Sequence, residues 1–234
     1  MRPLLIGNWK MNKTSREAVD FIERLAPQLE GMRAAVWVAV PFTSIHPAAL
    51  VAKGTPISIG AQNIHEARDG AFTGEISALM LKEAGATFTL VGHAERRHLF
   101  GESDARIRDK VHRALSDDLA VVLCVGEQKH EKAHDVLKRQ LESAIKGIPH
   151  ESLVIAYEPV WAIGSGETPQ LEQIAETHAY IRKLVGKKTP ILYGGSVKPE
   201  TAHALLRLEN VNGLLVGGAS LEPSTFHSII QAAE

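Results

Sequence analysis

Leu4-Leu5-Ile6-Gly7-Asn8-Trp9-Lys10-Met11-Asn12 is the stretch on which the architecture turns. It opens as a short apolar run of strand length and breaks into a polar turn. Residues 16–29 then take up a helical period. A strand, a turn and a helix in that order begin a parallel β/α unit. Two architectures compete for such a start: the doubly wound open sheet and the closed barrel. The open sheet usually carries a glycine-rich first turn between strand and helix. The turn Asn8-Trp9-Lys10-Met11-Asn12 holds no glycine, which favours the barrel.

Outward from that start, the same unit recurs. Apolar or β-branched runs fall at residues 4–9, 36–40, 57–60, 88–92, 120–125, 153–157, 191–193 and 213–216. Amphipathic stretches at 16–29, 76–84, 105–115, 131–145, 171–184, 199–208 and 223–232 separate or follow them. The runs are apolar throughout rather than alternating, as strands buried on both faces are. Eight such units of about 30 residues predict an α/β fold, a (β/α)8 barrel of eight parallel strands ringed by helices. No linker, low-complexity segment or break in composition interrupts the 234 residues, so residues 1–234 are expected to form a single domain.

The composition narrows the function classes. Lysine plus arginine count 26 and aspartate plus glutamate 27, for a net charge of -1. That balance gives no general reason to expect nucleic acid or a membrane surface as partner. Any anion must be held by a local site. One cysteine, Cys124, excludes an internal disulfide framework, and its place in a buried run suits an inert core residue. The first residues lack the h-region of a secretory signal, and no apolar stretch is long enough to span a bilayer. A cytoplasmic enzyme is the expectation.

In a barrel, the C-terminal ends of the strands carry the chemistry. The residues just past the runs are then Asn8 and Lys10, Gln62 and Asn63, His93 and Glu95, Glu127, Glu158, Gly194-Gly195-Ser196, and Gly217-Gly218. Glu158 follows Leu153-Val154-Ile155-Ala156-Tyr157. A carboxylate there is costly unless used or paired, so it reads as a general base, or else as a structural ion pair or a helix-cap carboxylate. His93 opens Ala94-Glu95-Arg96-Arg97 and reads as an acid or electrophile, or as a hydrogen-bonded loop histidine. Lys10 alone is unremarkable, but beside Glu158 and His93 it offers a positive charge to a substrate oxygen. Gly164-Ser165-Gly166, Gly194-Gly195-Ser196 and Gly217-Gly218 follow three successive strands. Glycines there let backbone N–H groups close on a phosphate. One motif points elsewhere: His130-Glu131-Lys132-Ala133-His134 fits the zinc helix H-E-x-x-H. The surrounding apolar positions Ala133, Val136, Leu137, Leu141 and Ala144 instead describe an ordinary outer helix, so no metal is expected.

These motifs closely resemble those of the triosephosphate isomerase family. The resemblance rests on Gly7-Asn8-Trp9-Lys10-Met11-Asn12, Ala61-Gln62-Asn63, Gly70-Ala71-Phe72-Thr73-Gly74-Glu75, Gly92-His93-Ala94-Glu95-Arg96-Arg97, Cys124-Val125-Gly126-Glu127, the stretch 156–166, and Tyr193-Gly194-Gly195-Ser196-Val197. They run in family order across nearly the whole chain. The resemblance implies a TIM barrel and an aldose–ketose isomerase of glycolysis and gluconeogenesis, which interconverts dihydroxyacetone phosphate and D-glyceraldehyde 3-phosphate through an enediolate. It implies Glu158 as the base, His93 as the electrophile and proton shuttle, and Lys10 and Asn8 as substrate contacts. Gly164, Ser196, Gly217 and Gly218 would hold the phosphate, under a lid at 159–168. It implies no cofactor. It also implies a homodimer in which the loop Phe72-Thr73-Gly74-Glu75 reaches the partner near Asn8 and Lys10.

Two rivals remain at this point. A Schiff-base aldolase needs a lysine inside the barrel, and none of the runs has one. A catalytically silent phosphometabolite-binding barrel would not need Glu158 and His93 together. Several positions depart from the family pattern. Ala94 stands where serine is usual, removing a hydroxyl expected to hold the resting base. Glu167 stands where lysine is frequent. Pro169 follows Thr168, which predicts an N-cap, a proline at the first helical position and a stiffer hinge. The chain is also somewhat short, in helical segments away from the rim.

Overall fold

In a computed structural model, residues 1–149, 152–163 and 169–234 are described. Eight strands close into a parallel barrel in chain order: β1 Leu4–Asn8, β2 Ala35–Val40, β3 Ile57–Ala61, β4 Phe88–Val91, β5 Ala120–Val125, β6 Leu153–Tyr157, β7 Ile191–Tyr193 and β8 Gly213–Val216. The outer helices are α1 Ser15–Leu25, α2 Ile45–Ala52, α3 Ala78–Glu83, α4 Ala94–His98, α5 Asp104–Ser116, α6 Ala133–Ile145, α7 Leu171–Val185, α8 Pro199–Leu206 and α9 Pro223–Gln231. None of the described helices is long and apolar enough to cross a membrane.

The strand runs are apolar on both faces because each face meets its own core. Leu4, Ile6, Ala39, Phe88, Leu90, Val122, Cys124, Val154, Ala156, Leu192 and Leu215 fill the barrel lumen. Leu5, Val36, Val38, Val121, Leu123 and Ile155, one residue out of step, pack outward beneath the helices. This is the period-two alternation of a strand with both sides buried. The seam closes where β8 meets β1, with Leu4 opposite Gly213. A Cβ at Gly213 would lie 1.9 Å from the Leu4 carbonyl oxygen, so only glycine lets the two edge strands join.

Helix starts follow local chemistry. Thr14 caps α1, and its backbone N–H donates to Glu17 at 2.8 Å while its hydroxyl accepts from the Glu17 N–H, a reciprocal box. Two helices lie outside the sequence expectation. α2 carries Pro47 in its first turn and is apolar nearly throughout, so it shows little periodicity. α4 spans only five residues, directly behind His93. The start of α7 also differs from expectation: its cap is Gln170, whose N–H donates to the Gln173 side chain at 3.2 Å, and Pro169 precedes the cap. Thr168 lies outside the described residues.

The seat of α7 on the barrel contains a buried titratable group. His178 is fully buried, its Nδ1 lies 3.2 Å from the Asn210 carbonyl, and its ring meets Tyr157 edge-on. Burial lowers its pKa to about 4, with the Asn210 carbonyl working against that shift and the Arg182 charge adding to it. The folded value lies below the ordinary one of about 6.5, so the unfolded chain binds a proton that the folded chain refuses. Stability from this group is therefore present above about pH 6.5 and is lost as pH falls toward 4. Thermal unfolding followed between pH 7 and 4.5 is expected to show a shallower acid slope in His178→Gln than in wild type, by about 2–3 kcal/mol across the range. Identical slopes would contradict this assignment.

Candidate active site

The alternation of β6 delivers the central residue. Val154 and Ala156 point into the lumen, and Glu158, the next residue in that parity, points to the same side at the barrel mouth. Its side chain is 2% exposed. Glu158 Oε2 accepts the Ala94 backbone N–H at 3.0 Å, and Oε1 lies 3.1 Å from His93 Nε2. Gly126 makes room for this strand end, since a Cβ there would fall 1.7 Å from the Glu158 carbonyl oxygen. The missing serine hydroxyl at position 94 is thus covered by a backbone donor that any non-proline residue supplies.

His93 caps the start of α4, and its Nδ1 accepts the Glu95 N–H at 3.2 Å. A ring nitrogen that accepts from an amide carries no proton, so the proton sits on Nε2, the nitrogen 3.1 Å from Glu158 Oε1. The imidazole is therefore presented as a donor toward the cavity.

Lys10 adopts the left-handed conformation, φ 55°. A side chain in that region costs about 1–2 kcal/mol, and three contacts hold it there. Its N–H donates to Asn8 Oδ1 at 3.1 Å, its carbonyl accepts from Gln62 Nε2 at 2.9 Å, and its Nζ pairs with Glu95 at 2.6 Å. Strain kept in place by several bonds is a common mark of functional positions.

A cavity of about 290 Å³ brings these groups together: Asn8, Lys10, His93 and Glu158 line it with Gly194, Gly195, Ser196, Gly217 and Gly218. Of the residues expected to bind substrate, all but Gly164 line this space, and Gly164 lies outside the described residues. Nothing lies within 4 Å of where a Gly218 Cβ would be, so its backbone faces open space, at the start of the short 3-10 turn Gly218–Ser220. A second recess of about 260 Å³ shares Asn8, Lys10 and His93 and adds Gln62, Asn63 and Glu95.

One rim assignment needs correction. Glu127 does not line the cavity; it is buried and accepts from the Tyr157 hydroxyl at 3.1 Å and from Trp161 Nε1 at 3.0 Å. It anchors the turn Val160–Ala162, whose end, Ile163, reaches the cavity wall. Burial raises its pKa, with the Trp161 and Tyr157 bonds opposing. Cys124 lies in the lumen, and burial first, then the Glu158 charge, push its thiol well above the ordinary value. Such a thiol is a poor nucleophile, in line with an inert core residue. His130 lies ahead of α6, not on it, while His134 stacks on Tyr180 at 3.9 Å. The two histidines do not share a helix face, and the H-E-x-x-H reading is set aside.

Because the Ala94 N–H already holds Glu158, restoring the hydroxyl should matter little. Ala94→Ser is expected to leave kcat/KM of the isomerisation that the family resemblance implies within about threefold, a change of under 1 kcal/mol. A change of tenfold or more in steady-state kinetics would show that the backbone donor is not enough.

Three comparisons bear on what this cavity belongs to. The family model described as triosephosphate isomerase matches residues 3–233. A triosephosphate isomerase of Protochlamydia amoebophila is 44% identical, the alignment covering 98% of this chain and 93% of that protein. One of Aquifex aeolicus is 43% identical, covering 98% and 99%. The crystal structure of triosephosphate isomerase from Bartonella henselae superposes with a TM-score of 0.91 at 40% identity, covering 99% of each chain. With its barrel, its cavity and these relatives in agreement, the chain belongs to the triosephosphate isomerase family.

Proposed function

We propose the following division of labour for the reaction of this family, the interconversion of dihydroxyacetone phosphate and D-glyceraldehyde 3-phosphate. Glu158 removes a proton from the carbon beside the carbonyl and returns it to the neighbouring carbon. The observation that carries this reading is the position of the carboxylate: it is nearly buried, lines the cavity, and lies 3.1 Å from His93 Nε2 while accepting the Ala94 N–H. His93 donates from Nε2 to the substrate carbonyl, which grows into an enediolate oxygen, and passes protons between the two oxygens. The Glu95 N–H on Nδ1 supports that role by holding the tautomer.

Lys10 supplies positive charge beside the same oxygens, with Asn8 orienting the substrate. Ser196, Gly217 and Gly218 take the phosphate through backbone N–H groups. Gly164 is proposed to join them, as part of a lid at 159–168 that excludes water. Proton transfer between adjacent carbons needs a base, a donor and a dry site; it requires neither metal nor organic cofactor. The silent binding-protein alternative is not favoured, because it leaves the Glu158–His93 pair without a task. The chain acts as one domain, residues 1–234, in glycolysis and gluconeogenesis, and the cytoplasm is the proposed compartment.

We also propose a homodimer. Met11, Phe72, Met80, Leu99 and Phe100 are exposed apolar side chains, and Met11 and Phe100 border the recess beside Lys10. The loop Phe72-Thr73-Gly74-Glu75 of a second copy suits that recess, where it would press on the Asn8 and Lys10 turn.

Two measurements test these assignments. In a coupled assay with glyceraldehyde 3-phosphate, Glu158→Gln is expected to lose about 10³-fold or more in kcat while keeping phosphate-analogue binding. A loss below tenfold would move the base elsewhere. Sedimentation at assay concentration is expected to give a dimer, and a fully active monomer would end the dimer proposal.

A further inference from the structure

Lys198 is a cavity residue with no assigned task. It sits two positions after Ser196, immediately ahead of α8, and lines the same 290 Å³ space as Ser196, Gly217 and Gly218. The charges facing that space decide what it does. Lys10 is paired with Glu95 at 2.6 Å and is assigned to the oxygens at the reacting end, on the side of the Glu158 carboxylate. Of the two lysines in the lining, Lys198 is the one that stands beside Ser196 and has no carboxylate partner among the described residues, so it is the charge left for an incoming phosphate dianion. The chain as a whole, at a net charge of -1, offers no surplus positive charge. Lys198 makes no ion pair among the described residues, so its charge is not already spent on a neighbour.

We infer that Lys198 is a phosphate-capture residue: it draws the phosphate end of the triose phosphate toward Ser196 and the Gly217-Gly218 backbone and sets which end of the substrate enters that way. An exposed, flexible cation acts at long range, in the encounter and in ground-state binding, and not on the proton transfer at Glu158. Its effect therefore belongs to kcat/KM and KM and is screened by salt. The inference deepens the proposed function and rests on the phosphate lying at Ser196 and Gly217-Gly218.

The test compares wild type, Lys198→Gln and Lys198→Arg. At low ionic strength, Lys198→Gln is expected to lower kcat/KM for glyceraldehyde 3-phosphate about five- to tenfold with kcat unchanged, the scale of one charge against a dianion in a wet site. The calorimetric dissociation constant for inorganic phosphate should rise by a similar factor. Both gaps should close at high salt, Lys198→Arg should restore both, and turnover of glyceraldehyde, which lacks the phosphate, should not change. Unaltered phosphate binding in Lys198→Gln at low salt, or an equal loss on glyceraldehyde, would overturn the inference. Calorimetry needs no turnover, so a failure here is separable from a failure of Glu158 as base, which the Glu158→Gln kinetics report alone.

Discussion

A carboxylate at the mouth of an apolar barrel must find polar partners, and Glu158 meets a backbone N–H and an imidazole that lie on the far side of β5, at the end of β4. The Ala94 N–H and His93 Nε2 both reach it, from one helix start. This contact ties β6 to the loop after β4 and fixes the direction in which the imidazole presents its proton. It also leaves the carboxylate poised, since a substrate carbonyl oxygen can take His93 Nε2 as its own donor and free Glu158 Oε1. Much of the surrounding structure serves that arrangement. The parity of β6 aims Glu158 inward, Gly126 clears space for the strand end, and Glu127 holds the following turn through Tyr157 and Trp161.

The rest of the rim supplies charge and backbone in the places a triose phosphate needs them. Lys10 is kept in a costly conformation by Asn8 and Gln62, so the first strand's turn carries its strain into the cavity that His93 and Glu158 line. The glycines after β7 and β8 add bare backbone to the lining of the same cavity. The proposed base, donor and anion site thus arise from different strands, which a closed barrel brings within one small space.

The strands were legible in the sequence almost residue by residue, because runs buried on both faces leave an uninterrupted apolar signal; 120–125, 153–157, 191–193 and 213–216 coincide with β5 to β8. Helices with one buried face were legible too, α5 and α6 among them. α2 was not, because Pro47 and uniform apolarity erase its period, and the cap of α7, though not its first residue Leu171, was read two positions early at a Thr-Pro pair. In the site, position past a strand identified Asn8, Lys10, His93, Glu158 and the glycine pairs, yet the same rule placed Glu127 on the rim. A carboxylate one residue past a turn can face the cavity or the wall, and only the Tyr157 and Trp161 partners decide it. The role of Ala94 was hidden for a different reason: its contribution is a backbone N–H, which no side-chain pattern records.

The claim that one carboxylate carries the proton between two carbons is tested most directly by isomerisation in deuterated water. The account predicts deuterium at the carbon that receives the proton in wild type, because the carboxyl of Glu158 can trade its proton with solvent, and no such labelling above background in Glu158→Gln. Labelling that survives in Glu158→Gln would contradict it, and would place the base on another group of the cavity.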